Sequence, residues 1–97
     1  MSILRAKLAK PVISFGLGQK VFTASIGQEV KIYSGLIYPK DYVLNLNHSP
    51  DLSSRAVNNN YYTISGETAG TFEIELFISN GDKTVQLKSN KITLIIT

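Results

Sequence analysis

The chain has no cysteine. That excludes disulfides and every thiolate metal site, and it leaves the compartment open. Histidine occurs once, at His48, which removes the remaining common zinc ligand sets. No apolar run approaches the roughly 20 residues of a membrane-spanning helix, so membrane insertion is not expected. The first ten residues, MSILRAKLAK, lack a signal peptide's apolar centre because Arg5 and Lys7 interrupt it. Export by that route is therefore not expected unless a signal lies outside this chain. The same ten residues have no acid: Arg5, Lys7 and Lys10 supply the whole of the +3 net charge. The remaining body is neutral, with no basic face for a nucleic acid, and no such partner is expected.

What is present is a strand pattern. Ninety-seven residues with 43% hydrophobic and 18% charged side chains make one globular domain, with little room for a deep catalytic cleft. Residues 1–10 read as an arm or linker, since Pro11 disfavours helix at Lys10, and 11–97 read as the domain. PVISF and KVFTA are β-prone runs parted by GLGQ, as in a first strand broken at a glycine kink. EVKIY sets Val30 and Ile32 on one face and Glu29, Lys31 and Tyr33 on the other. YVLNLN alternates again, with Tyr42, Leu44 and Leu46 opposed to Val43, Asn45 and Asn47. A short edge strand is expected near 54–57, and YYTIS points Tyr62 and Ile64 inward. In AGTFEIELFISNGDKTVQL, Phe72, Ile74, Leu76 and Ile78 share a buried face, and Asn80-Gly81 suits a tight hairpin turn.

The return strand changes phase. Val85 and Leu87 are odd-numbered, whereas Ile92, Leu94 and Ile96 are even. One straight strand cannot bury both sets, so an extra residue, a β-bulge or kink, is expected at Lys88-Ser89-Asn90. About seven short strands without a helix imply an all-β fold, an immunoglobulin-like antiparallel β-sandwich, with a small β-barrel as the alternative. The expected core is Val30, Ile32, Leu44, Leu46, Phe72, Ile74, Leu76, Ile92 and Leu94.

Residues 26–97 also resemble the immunoglobulin-like accessory domains of phage tail and prophage-associated proteins, including the N-terminal domain of phage-type SGNH hydrolases. Gly27, Glu29, Val30, Ile32 and Tyr33 match the first element of that pattern. Ala69, Gly70, Thr71 and Phe72 match its corner, Asn80 and Gly81 its turn, and Thr93 its closing strand. Phe72 stands where a tyrosine corner would need a hydroxyl, and the hydrolase's Gly-Asp-Ser block is absent. The resemblance thus implies the accessory domain without its enzyme, in a virion or at a bacterial cell surface.

The candidate chemical groups are sparse. His48, Ser49 and Asp51 could be drawn as a triad, but neighbours in a proline-containing turn do not converge as one; the expectation is an exposed loop histidine beside a turn capped by Asp51. Glu73 and Glu75 lie about 7 Å apart on one wet strand face, without the cleft that acid–base catalysis needs, and read as solubilising charges. Asp41, Asp51, Glu67 and Asp82 lack the spacing of a calcium loop. No enzyme activity, metal or cofactor is expected. Tyr33, Tyr38, Tyr61 and Phe77 have no inward assignment and are candidate contacts to a protein or a glycan. The expected function is a non-catalytic module that spaces or docks neighbouring domains. The alternatives are a carbohydrate-binding module for cell-surface glycans and a self-assembling virion subunit with residues 1–10 as its arm.

Overall fold

The computed structural model describes residues 11–34, 42–57, 61–80 and 86–97. The leader 1–10, Tyr38, Val85, and the turn's Gly81 lie outside them. Eight strands follow in chain order: β1 (Val21–Ala24), β2 (Val30–Tyr33), β3 (Val43–Asn47), β4 (Leu52–Ala56), β5 (Tyr61–Gly66), β6 (Gly70–Ser79), β7 (Gln86–Lys88) and β8 (Ile92–Ile96). They form two sheets. One has the order β1-β8-β6-β3, with β7 also on β6; the other has the order β2-β5-β4. The protein is an all-β sandwich.

Alternation decides which face of each strand is buried. In β2, Val30 and Ile32 point inward while Lys31 and Tyr33 point out. In β6, Ile74, Leu76 and Ile78 are buried. They share one core with Ile32, Leu46, Tyr62, Ile64, Ile92, Leu94 and Ile96, drawn from both sheets, and Leu44 and Phe72 pack against it half-buried. Gly66 permits a close approach of the sheets: a Cβ there would stand 2.6 Å from Ile96 Cδ1 and 2.7 Å from Leu52 Cδ2.

The first strand divides between the sheets. Ser14 and Tyr33 exchange both backbone hydrogen bonds, at 3.1 and 2.8 Å, so residues beside Ser14 belong to the β2 edge. Gly16, Leu17 and Gly18 then take φ of +114°, +50° and +74°, and the chain crosses to the other sheet as β1. It still runs in the same sense, so it lies parallel to β8, with Val21 opposite Thr93 and Ala24 opposite Ile96. This pair departs from the all-antiparallel expectation; every other strand pair among the described residues is antiparallel.

The phase break has a register to match. Phe77 pairs with Lys88 and Ile74 with Ile92. Between those pairs β6 contributes Glu75 and Leu76, while the return strand contributes Ser89, Asn90 and Lys91. The extra residue turns Leu87 and Ile92 onto the same inner face. Ser79 pairs with Gln86, which is not the register of a two-residue Asn80-Gly81 loop; that loop would place Ser79 opposite Asp82.

A bulge leaves ladder groups unpaired, and side chains repair them here. The buried Ser89 donates its N–H to the Leu76 carbonyl (2.8 Å). Its Oγ accepts the Leu76 N–H (2.8 Å) and donates to the Asn90 carbonyl (2.7 Å). Leu76 is fully buried, so no water can replace that acceptor. Ser89→Ala should therefore cost about 1–3 kcal/mol, the penalty of an orphaned buried donor. Urea unfolding checks this; an unchanged midpoint would contradict the assignment.

Candidate functional site

The outer face of β2-β5-β4 is built by register. Cross-strand pairing puts Tyr33 opposite Tyr61 and Lys31 opposite Thr63, with Arg55 on the far side of Thr63. The Tyr33 and Tyr61 rings lie 5.8 Å apart at 41°, a tilted aromatic pair. Lys31 Nζ stands 5.2 Å from the Tyr61 ring centroid, within cation–π range. Tyr33 keeps 38% of its surface exposed, while Tyr61 is half-buried. Gly16 lies beside the Tyr33 ring, where a Cβ would make ordinary contact at 3.5 Å; its φ of +114°, not space, calls for glycine.

Phe77 does not join this group. It is half-buried on the outer face of the other sheet, with Lys88 Nζ 5.4 Å from its centroid. The described aromatics with outward positions are therefore split between two opposite faces. Among the described candidates, Tyr33 and Tyr61 alone form a shared surface. A recess of about 610 Å³ borders Phe77, Val43, Asn45 and Lys88 at the β3 and β7 edges.

His48 differs from the expected exposed histidine. It is half-buried, with Nδ1 2.7 Å from the Ser49 carbonyl and Nε2 2.7 Å from Ser54 Oγ. A carbonyl only accepts, so Nδ1 carries a proton. In the neutral ring Nε2 then accepts from the Ser54 hydroxyl. The residue that meets His48 is Ser54 on β4, and the contact fastens the turn to that edge strand. The turn's own cap is Ser49, whose Oγ accepts the Asp51 N–H at 3.1 Å, rather than the expected Asp51. Ser54 is not discernible as a partner from the sequence, because six residues and a strand register separate it from His48.

Glu73 and Glu75 lie on the outer face of β6, beside Asn47 and Lys91 around a hollow of about 170 Å³. Asp51 and Glu67 are exposed, and Asp41 and Asp82 lie outside the described residues. Among the described residues no three His, Asp or Glu side chains gather as a metal site, and no helix is long and apolar enough to cross a membrane. No protein-family model matches the chain, and no curated protein matches it.

Burial pushes the Tyr62 hydroxyl above the ordinary tyrosine value of 10.0. The unfolded chain ionises near that ordinary value, while the folded chain resists. The stabilisation is thus complete below the unfolded value and is lost as pH rises through the folded pKa. Stability should fall on the alkaline side above the unfolded value, and Tyr62→Phe should flatten that limb. Thermal midpoints measured across alkaline pH check this; an identical slope in the variant would contradict it.

Proposed function

We propose that this chain is an immunoglobulin-like, non-catalytic module of a phage virion or bacterial surface protein, a rigid sandwich that spaces or docks neighbouring domains. The observation that carries this reading is the strand arrangement. The order β2-β5-β4 facing β1-β8-β6-β3, with the first strand shared between the sheets, supports an immunoglobulin-like reading of the sandwich. The resemblance of residues 26–97 to phage and prophage accessory domains supplies the setting.

A glycan-binding reading has one observation in its favour, the adjacent Tyr33 and Tyr61 rings with Lys31 beside them. Aromatic rings with one wet face serve sugar contacts as well as protein contacts. Retention of the purified domain on glycan arrays and isolated cell walls separates the two readings. The module reading expects no saturable retention. Saturable retention that weakens about tenfold in Tyr61→Ala would replace it with the glycan reading.

A further inference from the structure

The segment Pro11–Phe15 is held in an unusual way. It carries three side chains into the interior: Pro11, Ile13 and Phe15 are all buried. The Phe15 ring packs 5.6 Å from Phe22 of β1. Only one residue of the segment pairs with a strand backbone, Ser14 with Tyr33. Its neighbour Ile13 is instead held by a side chain. Asn90 Oδ1 accepts the Ile13 N–H at 2.9 Å, and Asn90 Nδ2 donates to the Ile13 carbonyl at 3.0 Å. The amide of a bulge residue thus stands in for a strand partner. Beyond these contacts, the Phe15 N–H donates to the Gln19 carbonyl at 2.8 Å and the Gln19 N–H to the Gly16 carbonyl at 2.9 Å, so the segment is tied to its own turn through the Gln19 backbone.

That junction is strained. Leu17 is the one non-glycine residue with positive φ among the described residues, at +50°, between two glycines that are also left-handed. Its side chain is fully exposed, so no packing offsets the cost of that conformation. Val12 and Val21, on either side of the turn, are exposed as well, at 57% and 51%. A short hinge under strain, joined to a segment seated mainly on distant residues of the body, is the arrangement that favours exchange of the segment between copies.

We propose that Pro11–Phe15 is an exchangeable strand, and that its slot accepts the same segment from a second copy of this chain. In the exchanged pair the contacts with the receiving body are kept, Ile13 on Asn90, Ser14 on Tyr33 and Phe15 on Phe22, and the Gln19-to-Gly16 bond of the closed turn is given up. The Gly16–Gly18 turn opens, Leu17 leaves its left-handed conformation, and the exposed apolar side chains around the hinge come between the two bodies. The closed pair is isologous, each copy giving and receiving one strand. This goes beyond the module reading and holds whichever partner that module serves.

The absence of cysteine makes the test direct. Ser14 and Tyr33 form a hydrogen-bonded antiparallel pair, with Cα atoms about 5.5 Å apart, within disulfide range. Ser14→Cys and Tyr33→Cys are made in separate full-length chains, mixed, refolded together at high concentration and oxidised. Exchange places the cysteine of one chain opposite that of the other, so the mixed disulfide dimer should exceed both same-variant dimers several-fold. Leu17→Gly in both chains should reduce it, because the closed turn is then relaxed. Mixed dimer no more abundant than same-variant dimers would overturn the proposal. The unmodified chain gives a second readout that does not depend on how the variants fold. Refolded at high concentration and diluted, it should retain a dimer in native mass spectrometry that separates only on unfolding. A monomer at every concentration would overturn the proposal as well.

Discussion

The structure depends on one extra residue. In the return strand, Ser89, Asn90 and Lys91 face two residues of β6, and without that surplus the inward faces of β7 and β8 could not agree. A bulge placed there would leave the β6 ladder unpaired at a fully buried point, the Leu76 amide. Ser89 closes the gap with its own hydroxyl. Asn90 then extends the same irregularity across the molecule to the first strand. Register, core continuity and the seating of residues 11–15 thus share one origin.

The same geometry sorts the outer surfaces. Once Val30, Ile32, Tyr62 and Ile64 are turned inward, pairing of β2 with β5 must bring Tyr33 and Tyr61 side by side on the outside. On the other sheet the even residues of β6 are buried, so Glu73, Glu75 and Phe77 must face out, away from the tyrosines. The sandwich therefore presents two unlike faces, one with the Tyr33–Tyr61 pair beside Lys31 and one with Phe77 beside Lys88 and the two glutamates beside Lys91.

Much of this was legible in the sequence, wherever burial is one-sided. Strict alternation located β2, β3 and β6 and the inward residues Ile32, Leu46, Ile74 and Leu76. The glycine-broken first strand and the bulge could be read because each leaves a local mark: GLGQ in one case, the odd-to-even change between Leu87 and Ile92 in the other. What could not be read depends on distant partners. YYTIS did show Tyr62 and Ile64 inward, but not that Thr63 is buried on β5's outer side, between Lys31 and Arg55. The parallel pairing of β1 with β8 follows from the crossing at Gly16–Gly18, and pattern carries no direction. The pairing of Tyr33 with Tyr61, the meeting of His48 with Ser54 and the hold of Asn90 on Ile13 arise from register and tertiary closure. For the candidate surface, the sequence supplied the aromatic residues but not their division between two faces.

The most direct measurement is amide hydrogen exchange, residue by residue, on the full chain carrying Asn90→Ala. If the bulge holds the first strand, protection should fall at Ser14 and Tyr33 as well as at Ile13, while the amides of β5 and β6 stay protected. Unchanged protection at Ser14 and Tyr33 would mean that Asn90 does not seat the segment, and that the first strand is held independently of the bulge.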